Sequence, residues 1–275
     1  MMDITSAGQR VSRNSPGAVE STAVLVVSCD AYRDVWGPFF TLFWRYWPDC
    51  PYPVYLGANQ EVYPDPKVQT VLVGPDLKWS PGLLKMLTDL PHPDLLFLQE
   101  DFLLSGPVDT AWVKDLIAYA KAKKAGCLRL MPIPGASHPC PDRDDVGELP
   151  KGSEYRVSMQ AAWWEKRVLS SLILEQENPW QFEVQASRRS VELPEAFLSL
   201  REGKGYPLDY FTTAVVRGRW EPAAVRFCRR EGILVDLQAR PMLPISYRLR
   251  RALRSWGVPL PIVRIVTLPF RRVRD

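Results

Sequence analysis

Apolar residues in the first half of the chain fall into short unbroken runs rather than alternating positions. The run at 23–28 is almost entirely aliphatic, which is typical of a strand covered on both faces of a sheet. Comparable runs bounded by turn-forming residues predict four more strands. These four lie at 53–57, 68–74, 95–98 and 127–132.

Helical patterns occupy the segments between these runs. Residues 36–47 are rich in aromatic side chains, and a second helix with Ser80 as its N-cap is predicted near Trp79. A third helix is predicted at about 110–124. Because strands and helices alternate, we expect residues 22–135 to form a mostly parallel α/β sheet flanked by helices.

The second half of the chain has a different pattern. Residues 132–152 are rich in Pro, Gly and Asp without periodicity, which predicts an active-site loop or a disordered lid. A short strand at 155–160, a helix at 161–174 and a helical stretch from 177 to about 187 are expected to follow. One α/β domain over residues 23–240 is therefore expected.

The two ends of the 275-residue chain differ from this domain in composition. Residues 1–22 are polar and lack the apolar segment of a secretory signal, so a loose N-terminal arm is expected. Residues 240–275 carry nine arginines and a single acid, and residues 245–256 show the pattern of an amphipathic helix. The segment 241–275 is thus predicted to be a basic amphipathic tail that binds an anionic membrane surface, or packs on its own domain or a partner.

Composition narrows the classes of function. No apolar run reaches the ~18 residues of a membrane-spanning helix, so we expect a cytoplasmic protein whose tail would hold it peripherally at the inner face of the cell membrane. The five cysteines form no CxxC pair and there are only two histidines. Zinc sites, disulfide frameworks and Ser-His-Asp hydrolases are therefore disfavoured. A catalytic base is expected to be a carboxylate.

Acidic residues directly follow the first and fourth predicted strands. Ser28 and Asp30 end the first strand, and Glu100 and Asp101 end the fourth. Ligands bind outside the carboxyl ends of strands in open α/β sheets. Because burying an unpaired carboxylate is costly, the adjacent acids either form a solvated strand end or hold a divalent cation such as Mn²⁺ or Mg²⁺.

These features together resemble the GT-A glycosyltransferases. The matching elements are the first strand ending in Ser28-Cys29-Asp30, the alternation of strands and helices, and Gln99-Glu100-Asp101 at the place of the family's Asp-x-Asp motif. Segments 46–56, 155–160 and 177–183 look like those of bacterial glycosyltransferase-like proteins from surface-polysaccharide gene clusters. The resemblance implies a nucleotide-sugar pocket. Because Gln99 stands where the family has its first aspartate, it leaves open whether a metal ion binds there.

The resemblance implies an enzyme that moves a sugar from a nucleotide-sugar donor, favoured as a UDP-sugar, to a glycan or lipid-linked acceptor, with inversion. Asp30 would then contact the uracil or ribose, and Glu100 and Asp101 would orient the cation or the sugar. A carboxylate must deprotonate the acceptor hydroxyl. Glu183, or else Glu177, is expected to be this base, although either one is also explained by a favourable place near a helix N-terminus.

Cationic residues are assigned from the needs of the leaving group. Arg156 is a candidate for the diphosphate because guanidinium groups bind phosphate strongly. Lys78 and Trp79 precede a helix N-terminus, where anions bind readily. A loop in which Arg217 and Arg219 flank a glycine is a further candidate. Surface solvation is the ordinary alternative for this loop.

Aromatic and amide residues are assigned to the acceptor. Tyr155, Gln160 and Trp163 are candidates, because sugar rings stack on aromatic faces. The alternative for Trp163 is a place in the core.

Three other functions stay open. The arginine-rich tail is compatible with nucleic-acid binding, but it lacks a recognisable motif and no nucleic acid is expected. The incomplete acidic motif is compatible with a catalytically inactive scaffold of the GT-A type. A nucleotidyltransferase also uses acids at strand ends, and it would release pyrophosphate.

Overall fold

The computed structural model describes residues 21–75, 77–211, 213–244 and 247. Residues 1–20 of the arm predicted at 1–22, and nearly all of the predicted tail helix, lie outside these residues. Thr22, the last residue of the predicted arm, is the first residue of β1. The strands are β1 (Thr22–Val27), β2 (Val54–Ala58), β3 (Val68–Leu72), β4 (Asp94–Gln99), β5 (Leu103–Leu104), β6 (Ala125–Arg129), β7 (Val146–Glu148), β8 (Ala162–Glu165), β9 (Ala196–Leu200), β10 (Tyr210–Phe211), β11 (Val215–Val216) and β12 (Arg219–Trp220). The helices are α1 (Arg33–Tyr46), α2 (Trp79–Asp89), α3 (Thr110–Ala122), α4 (Lys166–Leu172), α5 (Pro179–Arg189) and α6 (Pro222–Arg230), with 3-10 turns at Asp30–Tyr32 and Ser190–Glu192.

Eight strands form the central sheet in the order β3-β2-β1-β4-β8-β6-β9-β7. β1 pairs in parallel with β2 and β4, β2 with β3, and β6 with β9. β8 runs antiparallel between β4 and β6, and β7 is an antiparallel edge strand. Six of the eight strands therefore point the same way, and the predicted mostly parallel, Rossmann-like α/β fold is confirmed.

Helices cover both faces of this sheet and build two cores. On one face the aromatic side chains of α1 pack with Val24 and Leu96. On the other face, residues of α2, α4 and α5 pack with Leu25 and Phe97. Successive residues of a strand point to opposite faces of the sheet. Because helices cover both faces, successive residues must all be apolar, which explains the unbroken apolar runs. Among the described helices, none is long and apolar enough to cross a bilayer.

The two adjacent tryptophans lie on a strand, so the helix predicted at 161–174 is wrong over its first half. Trp163 and Trp164 belong to β8, and the helix that follows is only the seven residues of α4. Trp163 packs into one core and Trp164 into the other. This separation requires the alternating geometry of a strand, because neighbouring helical residues do not point to opposite faces.

Two further segments differ from their predicted structure. Residues 155–160 form turns rather than a strand, and they are tied to β6 because the Arg129 guanidinium donates to the carbonyls of Tyr155 and Arg156. Residues 132–152, expected to be an active-site loop or disordered lid, include β7, which pairs with β9 at the sheet edge. The segment is thus part of the sheet at the edge farthest from β3.

The register of β1 and β4 brings their carboxyl ends together. Val27 lies opposite Gln99, so Ser28 and Glu100 leave the sheet side by side. β5 pairs with β10, and β11 with β12 forms a hairpin. This hairpin begins beside the same edge, because the backbone N–H of Ala214 donates to the carbonyl of Asp101 at 3.0 Å.

Candidate active site

A cleft of about 440 Å³ opens at the carboxyl ends of β1 and β4. Its floor includes Ser28, Glu100 and Asp101, one side includes the first turns of α2 and α5, and the other includes residues of the β11–β12 hairpin. This is the position at which open α/β sheets bind ligands.

The acidic tip of β4 is buried in this cleft. Glu100 is only 8% exposed. Burial, and then the charge of Asp101, raises the pKa of Glu100 well above its usual value. Burial raises the pKa of Asp101 from 3.8 to about 7, against the opposing effect of a hydrogen bond from the Val215 backbone. A fully solvated strand end, one of the two interpretations of this tip, is therefore excluded for Glu100.

A cation lies close to these acids but is paired elsewhere. Arg240 donates to both carboxylate oxygens of Asp34, at 2.9 and 2.8 Å, and its guanidinium lies over the ring of Tyr32, 4.4 Å from the centroid. Its charge opposes the rise in the pKa of Glu100 and Asp101. Within the described ranges, neither of the two acids forms an ion pair of its own, so negative charge in the cleft lacks a direct counter-charge.

Gln99 has a structural role that an aspartate could not fill. Its side-chain amide donates to the carbonyl of Met159 at 3.0 Å, whereas an ionised carboxylate only accepts hydrogen bonds. The backbone N–H of Met159 in turn donates to Glu183 Oε1 at 2.7 Å. The departure from Asp-x-Asp therefore connects the acidic tip to the turn that holds Glu183.

Glu183 is the predicted base that lies in the cleft. It stands on α5, whose N-cap Asn178 forms a capping box with Gln181. Besides the Met159 contact, Ser158 Oγ donates to the same Oε1 at 3.1 Å. The described residues thus fix one carboxylate oxygen, and Glu183 lines the same cleft as Glu100 and Asp101.

Five more predicted residues line the cleft, and one of them is Arg217, whereas Arg219 of the same predicted phosphate loop does not line it. Ser28 Oγ accepts a hydrogen bond from Trp36 Nε1 at 2.7 Å. Lys78 and Trp79 stand at the start of α2, where Lys78 is the N-cap and Ser80, the predicted N-cap, lies inside the first turn. Gln160 accepts a hydrogen bond from the Tyr210 hydroxyl at 2.6 Å.

Asp30 does not line the cleft, which corrects its assignment to the uracil or ribose. Its Oδ1 accepts from the backbone N–H of Asn59 at 2.8 Å, and its Oδ2 accepts from the next two N–H groups. The carboxylate therefore holds the loop after β2. Asn59 itself lines the cleft.

Arg156 and Glu177 also lie outside the cleft, because each is engaged in the fold. The Arg156 guanidinium is buried, donates to the carbonyls of Leu149 and Ser190, and lies over Phe197 at 4.1 Å. Glu177 forms a two-oxygen ion pair with Arg189, with contacts of 2.7 and 2.6 Å. Arg156, assigned to the diphosphate, and Glu177, the second candidate for the base, thus do not line the cleft.

The two aromatic acceptor candidates are likewise placed elsewhere. Tyr155 is 45% exposed and lies on a turn with φ +52, outside the cleft. Trp163 is 2% exposed in β8, in agreement with the core alternative. Of the three acceptor candidates, Gln160 alone borders the cleft.

Sequence reasoning missed several residues of the site. Cys29 and Tyr32 line the cleft beside Glu100, and burial, followed by the charge of Glu100, raises the pKa of both side chains. Asn59 was recognisable as the residue after β2. Arg240 carried no local signal, because its partner Asp34 is 206 residues away.

Glu100 and Asp101 offer an incomplete but suitable set of metal ligands. Among the described residues, no group of three or more His, Cys, Asp or Glu side chains is placed to hold a metal ion. Mg²⁺ is commonly held by one or two carboxylates together with substrate phosphates. The donor set therefore fits a cation that arrives with a diphosphate.

No family model matches the chain, and no curated protein matches it in sequence. The crystal structure of S. aureus TarS 1–349 is similar, with 12% identity, coverage of 92% of this chain and 75% of that chain, and a TM-score of 0.45. The crystal structure of TarS 1–349 in complex with UDP-GlcNAc has 11% identity and a TM-score of 0.40, and the match covers 90% of this chain and 74% of that chain. The structure of a 2-C-methyl-D-erythritol 4-phosphate cytidylyltransferase from Thermus thermophilus has 12% identity and a TM-score of 0.40, and the match covers 67% of this chain and 92% of that chain. At these identities and TM-scores no function is transferred, and the function proposed below rests on the residues of the cleft.

Proposed function

We propose that the protein is a glycosyltransferase that moves a sugar from a nucleotide-sugar donor, a UDP-sugar, to a hydroxyl of a glycan or lipid-linked acceptor. The observation that carries this proposal is the Glu100-Asp101 tip, with Glu100 buried and Asp101 half-buried, which shares one cleft with Glu183. A carboxylate in a cleft whose pKa is raised by burial and a neighbouring charge is a candidate functional group.

The donor would lie along the floor of the cleft. Asn59 and Ser28 would contact the nucleoside. Lys78 and Arg217 are the cationic side chains among the described cleft residues. A diphosphate carries charge that these cations would neutralise. The helix N-terminus at Trp79 adds backbone N–H groups to the same side.

A divalent cation, Mn²⁺ or Mg²⁺, would be held by Asp101 and Glu100. When bound, it would supply a Lewis acid for the departing diphosphate. It would also compensate the charge of two carboxylates that are costly to ionise while buried.

The transfer step requires a base opposite the leaving group. In an inverting reaction the acceptor oxygen forms the bond to the anomeric carbon while the bond from that carbon to the diphosphate oxygen breaks. The acceptor proton goes to the carboxylate of Glu183, and the nucleoside diphosphate leaves with the electron pair of the broken bond. The hydrogen bonds from Met159 and Ser158 to Oε1 would keep this carboxylate oriented.

The cellular role is proposed from the sequence resemblance and the arginine-rich tail. The protein would act in the synthesis of a cell-surface polysaccharide in the cytoplasm, peripherally at the inner face of the membrane. Nine arginines in residues 240–275 would interact with anionic lipid.

A panel of UDP-, GDP- and CMP-sugars tests this proposal by thermal shift, with and without Mn²⁺. A ligand at 100 times its Kd stabilises the folded state by about 2.7 kcal/mol, which gives a clear rise in Tm. We expect stabilisation by a UDP-sugar that Mn²⁺ increases in the native chain but not in Asp101→Asn. Stabilisation by no nucleotide or nucleotide-sugar would refute the donor site. Release of pyrophosphate from a nucleoside triphosphate and a sugar phosphate would instead identify a nucleotidyltransferase.

A further inference from the structure

A second hollow of about 540 Å³ lies beside the cleft, at the carboxyl ends of β6 and β9. It is bounded by Met131 to Ile133 after β6 and by the loop from Glu202 to Tyr206 after β9. Like the cleft, it stands at the edge of the sheet to which six of the eight strands point. The donor and the base of the proposed transfer both lie outside it.

One side chain separates this hollow from the cleft. Tyr210 lines the hollow, and its hydroxyl donates to Gln160, which lines the cleft. The Tyr210 ring stacks on Phe102, another cleft residue, with 4.8 Å between centroids and 19° between planes. A chain lying in the hollow would therefore reach the cleft from the side of Gln160.

The hollow presents exposed apolar faces, which is unusual beside a polar sheet edge. Tyr206 is 43% exposed and Ile133 is 51% exposed. Aromatic side chains with one apolar face and one hydroxyl suit ligands that are themselves both apolar and polar, such as sugar rings. These side chains supply a stacking surface at the hollow.

The charge of the hollow is entirely negative. Glu202 and Asp209 line it, and its lining contains no lysine or arginine within the described part of the chain. The one cation of the loop, Lys204, is turned to an ion pair with Asp144 instead. Carboxylates accept hydrogen bonds from hydroxyls but repel phosphates and uronates, so like charges disfavour an anionic ligand.

We propose that this hollow binds the acceptor, and that the acceptor is an uncharged glycan chain rather than a phosphate-bearing or uronate-bearing polymer. The acceptor role rests on the proposed glycosyltransferase function, whereas the binding of a neutral glycan does not. Tyr206 stacks on a sugar ring, Glu202 and Asp209 accept its hydroxyls, and the end of the chain passes Tyr210 toward Glu183.

Saturation-transfer NMR on the full chain tests this proposal with defined probes. The neutral probes are hexasaccharides of glucose, galactose and N-acetylglucosamine, and the anionic probes are oligogalacturonate and poly(glycerol phosphate). We expect transfer to at least one neutral hexasaccharide that depends on Tyr206, whereas any transfer to the anionic chains should be unchanged in Tyr206→Ala. Tyr206→Ala should lower the affinity for the neutral glycan by about tenfold, since one stacked ring contributes roughly 1.4 kcal/mol.

Tyr155→Ala is the matched control, because Tyr155 is a similarly exposed tyrosine that lines neither the hollow nor the cleft. It should bind the hexasaccharide as the native chain does. Asp209→Asn is a second variant at an exposed position. It should lower the affinity for the neutral glycan, because it removes an oxygen that accepts hydrogen bonds.

The outcomes separate this inference from the proposed function. Absence of transfer to every neutral hexasaccharide, equal losses in the Tyr206 and Tyr155 variants, or binding of an anionic chain that depends on Tyr206 would each overturn the inference. A UDP-sugar thermal shift that persists in those cases would leave the donor site standing. Neutral glycan bound through Tyr206 with no nucleotide binding would support the glycan site and refute the transferase.

Discussion

The two ends of the central sheet carry hollows of similar volume. The acidic residues form ion pairs in one hollow and, within the described part of the chain, lack them in the other. At the amino end of β4, a hollow of about 530 Å³ is lined by Asp94, Glu165 and Glu195. Lys121 pairs with Asp94 at 3.0 Å, and Arg167 pairs with both glutamates at 3.0 and 2.6 Å. At the carboxyl end, the buried Glu100 and the half-buried Asp101 line a cleft of about 440 Å³. Neither of these two forms an ion pair within the described residues.

This difference separates charge that serves the fold from charge that serves a ligand. The acids of the amino end are neutralised by partners on neighbouring elements, so the fold itself accounts for them. The acids of the carboxyl end raise the free energy of the folded state, because their ionisation is opposed by burial. Such a cost is retained where a ligand or cation compensates it. The volume of a hollow does not distinguish the two ends. The presence of acidic side chains without an ion-pair partner among the described residues does.

The largest effect is expected from Glu183→Gln. This variant keeps the volume of the side chain but removes the proton acceptor, and a general base typically contributes 10²–10⁴-fold to a rate. We expect kcat to fall by about that factor while the UDP-sugar thermal shift is retained. Steady-state transfer assays on the native chain and the variant provide the measurement.

Glu177→Gln is the control for this prediction. Its carboxylate pairs with Arg189 outside the cleft, so the variant should lose stability but keep its kcat. Full activity in the Glu183 variant would remove that residue as the base. Equal loss of activity in both variants would show that the effect is structural.

A smaller effect, on stability, is expected from Asp101→Asn. In the folded state burial raises the pKa of Asp101 from 3.8 to about 7, so the folded protein binds its proton more tightly than the unfolded chain. Stability contributed by this group is therefore complete below pH ~4 and is lost as the pH rises through 7. At about 1.4 kcal/mol per pKa unit, the rise from 3.8 to about 7 corresponds to a loss on the order of 4 kcal/mol.

Urea unfolding at pH 5 and pH 8, in buffer with EDTA, measures this loss. The asparagine variant should lose less stability between the two pH values than the native chain, whereas Asp89→Asn, a change at an exposed acid paired with Lys85, should not. Addition of Mn²⁺ at pH 8 should stabilise the native chain and leave the Asp101 variant unchanged. An identical pH dependence in all three proteins would contradict a buried carboxylate at this position.

The fold of the first half was predictable because each strand lies between two apolar layers. β1, β2 and β4 are apolar on both faces, and helices separate β1 from β2 and β3 from β4, so the parallel order follows from the pattern. β3 departs from it, because it is a part-exposed edge strand that follows β2 without a helix. The second half was less predictable. Trp163-Trp164 carries no periodicity that separates a buried strand from a buried helix, and only the two cores show which one forms.

The candidate site was predictable where its residues follow a strand directly. Ser28, Glu100 and Asp101 do so, and each lines the cleft. Arg156 and Glu177 were misplaced because a single sequence does not reveal a partner far along the chain. Arg156 is engaged by Ser190, 34 residues away, and Glu177 by Arg189, 12 residues away.

The smallest effect is expected from Glu195→Gln at the amino end of the sheet. Arg167 lowers the pKa of Glu195 through a contact of 2.6 Å, so the pair stabilises the fold above the ordinary pKa of a glutamate and its contribution is lost as the pH falls. Because the Arg167 side chain is 68% exposed, the pair should contribute about 1 kcal/mol or less. Urea unfolding at pH 7 should show this loss at low salt and a smaller one in 0.5 M NaCl, roughly as screening requires. The UDP-sugar thermal shift and kcat should stay at their native values, since Glu195 does not line the cleft. A loss of nucleotide binding in this variant would break the contrast between the two ends, because it would make an acid paired with Arg167 part of the functional site.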